Sequence, residues 1–235
     1  RYNEHTFILR QNPAIHWEAP FMYLLMGNQQ AILLDAGATE EEEFFPLRGV
    51  IDGILQSWAH AHRVEIPDLI VMPLGSDQSQ TAALDQFAER LETNIFAPGS
   101  GARADVIADQ QLDLGGRVLS VVPTPGLNDS AITIYDPWSD LLFTGNTFYP
   151  GRLVIRDFDA YRGSLQRLVQ LAQEEPISHI FGGRIEMTNR PGLDHRLRSN
   201  YRPGEHSLQL EPGLLETALQ TANLINGQTD IHVSY

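Results

Sequence analysis

The ten residues Leu69-Ile70-Val71-Met72-Pro73-Leu74-Gly75-Ser76-Asp77-Gln78 join an unbroken apolar run to a polar, turn-rich segment. Four large aliphatic side chains in a row leave no polar face, which predicts a short strand covered on both sides. Pro73 and Gly75 end the run. The polar residues after them form a loop leading into a helix with Leu84, Phe87, Ala88 and Leu91 on one face. In open α/β architectures, loops that leave the ends of buried strands hold the functional site.

Outward from this strand the same alternation repeats. On the N-terminal side, His5–Arg10, Phe21–Met26 and Ala31–Asp35 read as strands, with a turn at Gly27-Asn28. The loop Asp35–Thr39 follows. The acidic run Glu40–Glu43 is expected as a solvated helix start, favoured by the helix dipole. That helix carries Leu47, Val50, Ile51, Ile54, Leu55 and Trp58 at helical spacing. On the C-terminal side, Asn94–Ala97, Leu112–Val122, Ala131–Tyr135 and Leu141–Phe143 are candidate strands, and Pro98–Gly101 beside Arg103 is a turn. Further turns fall at Gly115-Gly116 and Asp136–Ser139. Ser164 is the expected cap of a helix through Leu165, Leu168, Val169 and Ala172, stopped by Pro176. Ile177–Phe181 is a late buried strand, and Pro212 opens a last helix closed by Gly227. No linker or composition shift divides the chain, so residues 1–235 are read as one domain.

Composition narrows the function classes. The 235 residues carry 30 acidic against 16 basic side chains, a formal charge of −14, with no Cys. All the basic residues are Arg; Lys is absent. A nucleic-acid partner needs a basic field, and an anionic membrane surface repels this charge, so neither is expected. Disulfides, thiolate zinc sites, thiol nucleophiles and lysine Schiff bases are excluded outright. Arg1 in place of Met suits a removed leader as well as a chain cut at that point, so both a cytoplasmic and an exported protein stay open.

Four loops concentrate the chemistry: Pro73–Gln78, Pro125–Asp129, Thr144–Thr147 and Gly182–Thr188. Here the chain resembles the metallo-β-lactamase-fold superfamily. Pro20–Leu25, Leu34–Thr39, Thr124-Pro125-Gly126 and Phe143-Thr144-Gly145 match its landmarks, as do Tyr149–Leu153, Ile185–Thr188 and Glu205–Leu208. The resemblance implies an α/β fold, a four-layer αββα sandwich with its site at one edge of two stacked sheets. It also implies a zinc site built from a His-x-His-x-Asp-His loop, a His after Pro-Gly, an Asp after Gly and a final His. Zinc takes imidazole and carboxylate ligands, lowers the pKa of its bound water to about 7 and polarises the scissile bond.

At the positions matching that pattern this chain has Pro73, Gly75, Asp77, Gln78, Leu127, Asn146 and Arg184. Only Asp77 is kept. Pro, Gly and Leu cannot ligate a metal, so no zinc and no other cofactor is expected. One carboxylate has become an amide and a guanidinium has arrived. Arg184 is therefore expected to pair with Asp77, with Asn146 and Gln78 as neutral partners. Asp77 also has a plainer role open to it, as the N-cap of the following helix.

Three functions follow. The first is a metal-free pseudoenzyme with a structural role, or one that binds a small anionic or polar ligand or a protein partner, through a cleft of Asp77, Gln78, Asn128, Asn146, Arg184 and Glu186. The second is a metal-independent hydrolase or lyase with Asp77 as acid or base and Arg184, Asn128 or Asn146 stabilising negative charge. The third is a hydrolase with a relocated Mg²⁺ or Ca²⁺ site at Asp77, Asp129 and Glu186. A homo-oligomer is compatible with all three. His60 and His62 read as surface residues at a helix end, His179 as a packed strand residue, and His195 and His206 as parts of the loop walling the cleft.

Overall fold

The computed structural model describes residues 1–90, 93–95 and 111–225. Strands β1 (Thr6–Arg10), β2 (Phe21–Met26), β3 (Gln30–Leu34), β4 (Asp68–Met72) and β5 (Thr93–Ile95) form one sheet in chain order. The second sheet contains β6 (Gln111–Asp113), β7 (Val118–Pro123), β8 (Ile132–Asp136), β9 (Leu141–Gly145), β10 (His179–Gly182) and β11 (Gln209–Leu210). Its order runs from β11 to β6 in reverse chain order. β3 and β4 run parallel, as do β9 and β10.

Alternation along each strand sorts side chains into three cores. Phe21, Tyr23 and Leu25 of β2 meet Ile132, Ile134 and Phe143 between the sheets. Met22, Leu24 and Met26 point the other way, onto Leu47, Ile51, Leu55 and Trp58 of helix α1 (Leu47–His62). Behind the second sheet, Tyr135, Leu142 and Ile180 pack on Leu165, Leu168 and Leu215. Those leucines belong to α3 (Phe158–Glu174) and α4 (Gly213–Ile225). The layers are thus helix, sheet, sheet, helix, and strands with apolar residues on both faces are what such a sandwich requires. Among the described residues, no helix is long and apolar enough to cross a membrane.

Several local expectations change. Helix α3 begins at Phe158, not at Ser164. Its cap is Asp157, whose side chain accepts from the Ala160 amide at 2.9 Å. Ser164 lies inside the helix and donates to the Pro125 carbonyl at 2.7 Å, tying the helix to a site loop. The helix after Asp77 breaks into α2 (Gln78–Thr81) and a 3₁₀ turn, Leu84–Phe87. Tertiary anchoring of Gln80 and Ala83 to the β3 loop stops one long helix from forming: the Ala36 amide donates to the Gln80 carbonyl at 2.7 Å. Pro46 delays α1 to Leu47, so Glu40–Glu43 lie outside it and its first turn holds no acid. Leu112–Val122 is a hairpin, its turn made by Gly115 and Gly116 at φ +88° and +83°. Leu91, Phe96, Ala97, the Pro98–Gly101 turn, Arg103 and Gly227 lie outside the described residues.

Candidate functional site

Because β3, β4, β9 and β10 all point the same way, their trailing loops meet at one edge. Backbone hydrogen bonds lock them together. The Ile132 amide donates to Leu74 at 2.9 Å, Gly183 to Gly145 at 2.6 Å, and Phe21 to Gly183 at 2.8 Å. The four loops singled out in the sequence are therefore neighbours, and two polar networks fill the space between them.

The first network starts at Asp35, which ends β3 in the left-handed region (φ 64°) and is fully buried. Its Oδ1 accepts from the Leu74 amide at 2.7 Å and from Gln80 Nε2 at 3.0 Å, while Oδ2 has no partner. Burial pushes its pKa up to about 7, against the pull of those two hydrogen bonds, and the Asp77 charge adds to the rise. Gln80 Oε1 in turn faces Asn146 Nδ2 at 3.4 Å. The same Nδ2 lies 3.1 Å from Ser79 Oγ and 3.2 Å from Asp77 Oδ2. An amide has two hydrogens for these three acceptors, so at least one is shared. The result is a string from a buried carboxyl, Asp35, to a half-exposed one, Asp77, through two neutral amides. Asp77 does occupy the N-cap position of α2, but its side chain makes no capping bond.

The second network surrounds Arg184, which is 8% exposed. The expected partner was Asp77; instead Arg184 bonds Glu18, and its Nη2 donates to the Tyr149 hydroxyl at 2.8 Å. Glu186 stands 3.5 Å from its Nε, and the guanidinium carbon lies 4.8 Å from the Tyr149 ring centre. Burial disfavours the charged guanidinium, but Tyr149, Glu18 and Glu186 outweigh it and hold its pKa above the ordinary value. Tyr149 is pushed up to about 12 by burial, despite Arg184. Glu186 is also held by Arg152, from the backbone amide at 3.1 Å and Nη1 at 3.2 Å. Among the described residues Asp77 has no ion pair. The pairing fails because two acids, 166 residues upstream and two downstream of Arg184, reach it first.

Of the remaining candidates, Gln78 is exposed. Asn128 is half-buried; its Oδ1 accepts from Ser130 at 3.1 Å and its Nδ2 is buried without a partner. Gln80, Tyr149, Glu18 and Asp35 are not among the site residues expected from the sequence, although Asp35 and Tyr149 lie in two of the landmark stretches. Of these, Asp35 carried a signal of its own, as a charged residue directly after an apolar strand.

The donor set does not fit zinc. Pro73, Gly75 and Leu127 offer no ligand atom, and Gln80 occupies the room beside Gly75: a Cβ built there meets Gln80 Oε1 at 2.6 Å. Where the final His is expected, a paired cation stands. The relocated oxygen site fails as well, since Asp77, Asp129 and Glu186 do not gather within reach of one ion. Among the described residues, the trio that does is Glu4, His5 and His62, at the other end of the sheets. His195 is buried with Nε2 unpartnered, and His206 bonds the Ser207 carbonyl. Half-buried His179 also leaves Nδ1 without a partner.

The segment that follows β10 is rich in arginine. Arg184, Arg190, Arg196, Arg198 and Arg202 fall within nineteen residues of an otherwise acidic chain. Arg190, Arg196 and Arg198 are exposed and have no ion pair among the described residues. Arg196, Arg198 and Arg202 border a narrow gap with Glu186 and His195.

No family model matches the chain. Over 94 residues it is 30% identical to an acyl-coenzyme A thioesterase, MBLAC2, of Gallus gallus. That stretch is 38% of this chain and 34% of the relative, so the match spans about a third of the relative's length. A metallo-β-lactamase from Pontibacter korlensis superposes with a TM-score of 0.61 at 13% identity, covering 95% of this chain and 97% of its own. TMB-1 gives 0.61 at 12%, covering 97% of each chain. ETHE1 from Myxococcus xanthus gives 0.53 at 19%, covering 80% of this chain and 78% of its own.

Proposed function

We propose that this chain, which has the metallo-β-lactamase fold, works without zinc as a binding protein for a small anionic ligand held by the arginine-rich segment that follows β10, at the former hydrolase edge. One observation carries the reading: two hydrogen-bonded networks take up the positions that would surround a metal. Arg184 sits among Glu18, Glu186 and Tyr149, and Asn146 bridges Asp77 to Gln80. A buried charge costs several kcal/mol unless paired, so charges paired in this way support a site that works without a metal. The exposed Arg190, Arg196 and Arg198, without an ion pair among the described residues, supply planar donors suited to carboxylate or phosphate. The thioesterase relative acts on an acyl-coenzyme A, a polyanion, which makes this ligand class the first to try.

A metal-independent hydrolase using Asp77 is the second reading, favoured by the half-exposed carboxylate with Asn146 beside it. One experiment separates the two. Acyl-coenzyme A binding and hydrolysis are measured with and without chelator, alongside zinc content by elemental analysis. Binding without turnover, weakened in Arg196→Ala/Arg198→Ala, is the expected result. Turnover that survives chelator and is lost in Asp77→Asn would establish the second reading. Stoichiometric zinc with chelator-sensitive turnover would overturn both.

A further inference from the structure

At the end of the sheets opposite the loop cluster, we infer a second, unrelated site: Glu4, His5 and His62 form a three-ligand site for a divalent transition-metal ion, Zn²⁺ by their chemistry. The ligand atoms of the three side chains all lie within 4.8 Å of one another. A tetrahedral zinc with bonds of ~2.0–2.1 Å holds its ligand atoms roughly 3.3–3.4 Å apart. His62 Nε2 and Glu4 Oε1 are already 3.2 Å apart. Small side-chain rotations bring in His5. Two imidazoles and one carboxylate are borderline donors that suit zinc over Mg²⁺ or Ca²⁺, and three protein ligands leave a fourth position for water.

The surroundings orient the ligands as metal sites require. His62 Nδ1 lies 2.8 Å from the Trp58 carbonyl, one turn back on α1. That carbonyl can only accept, so Nδ1 carries a hydrogen, and Nε2, 3.2 Å from the Glu4 carboxylate, is the nitrogen on which a metal would take a hydrogen's place. Backbone or carboxylate acceptors on the far nitrogen fix the tautomer of metal-bound histidines in this way. Trp58 stacks on His62 with ring centres 4.4 Å apart, and His5 stands edge-on to Trp58 and Trp138. Buried Arg117 clamps the backbone beneath, donating to the His5 carbonyl at 2.9 Å and the Met26 carbonyl at 3.1 Å. The indole of Trp58 donates to His5 Nδ1 at 3.3 Å. Glu4 and His62 line an open cavity of about 470 Å³, which gives the ion a path in and the fourth position room for a ligand. An ion here would staple the start of β1 to the last turn of α1.

The test uses the full chain, stripped with chelator and dialysed. Zn²⁺ is titrated by calorimetry against wild type, His5→Ala, His62→Ala, His62→Gln, Glu4→Gln and Asp77→Asn, with each fold checked by circular dichroism in chelator. One equivalent is expected in wild type and Asp77→Asn. Each His variant should bind at least ~10–100-fold more weakly, since losing even a group that only hydrogen-bonds to a metal ligand costs that much. Cu²⁺ should quench tryptophan fluorescence in wild type, through Trp58 and Trp138, and fail to do so in His62→Gln. No Zn²⁺ binding to wild type, binding unchanged in the His variants, or binding lost in Asp77→Asn would each overturn the assignment.

Discussion

Replacing Arg184 by Met tests whether the guanidinium holds the former metal edge together. Met keeps much of the volume and the contact with Tyr149 but removes the charge. Two acids then lose their cation: Glu18 and Glu186, whose side chains are 15% and 5% exposed. They do not lose equally. Glu186 keeps Arg152, through both its amide and its guanidinium. Glu18 is left with His16 at 3.9 Å, a weak substitute at that distance. Breaking a buried ion pair by removing one partner costs about 3–5 kcal/mol, and one well-served acid puts this case near the lower end. At roughly 2–4 °C per kcal/mol for a chain of this size, Tm should fall by about 6–12 °C. Urea unfolding at constant m reads the same loss as a lower midpoint. Glu18→Gln in the Arg184→Met background should restore all but about 1 kcal/mol, because the orphaned charge is gone. A single variant within about 0.5 kcal/mol of wild type, or a double variant no better than the single, would refute the pairing.

Asp35→Asn probes the buried carboxyl. The folded-state pKa of about 7 lies above the ordinary carboxyl value of 3.8, so the fold holds a proton that the unfolded chain has released. Stability should therefore fall as pH rises from about 4 to about 7 and level off above, and the variant should lack that part of the slope. Tm profiles from pH 5 to 8 that run parallel would reject it. Gly75→Ala forces Gln80, pinned to Asp35, out of a 2.6 Å contact, at about 1–3 kcal/mol, read from the urea midpoint. Asp157→Ala removes the α3 cap and should cost about 1 kcal/mol in the same assay, whereas Ser164→Ala leaves the helix start intact.

The β-strands were legible because their signal is local. Leu69–Met72 and Phe21–Met26 carry apolar residues on both faces, and a strand buried on both faces belongs between a helix and a second sheet. Helix starts were less legible: Ser164 and Asp157 are both good caps, and which one is used depends on where the chain leaves the Gly126 loop. The Arg156 and Asp157 amides both bond the Gly126 carbonyl at 2.9 Å, which sets the start of α3. The break after Thr81 has the same origin, since backbone contacts with Ala36 and Gly37 override the helical period.

From the sequence alone came the composition limits, the fold expectation, the convergence of four loops and the change at all but one of the metal-ligand positions. Those depend on residue type and order, and a proline or glycine cannot ligate zinc whatever surrounds it. Which charges meet was decided only by the tertiary structure. Arg184 has acids at Glu18, Asp77 and Glu186 to choose from, and ion pairing depends on distances of a few ångströms, unrelated to separation along the chain. The same holds at the other end, where His62, a surface residue by its helical position, is brought by the packing of α1 against β1 to His5 and Glu4.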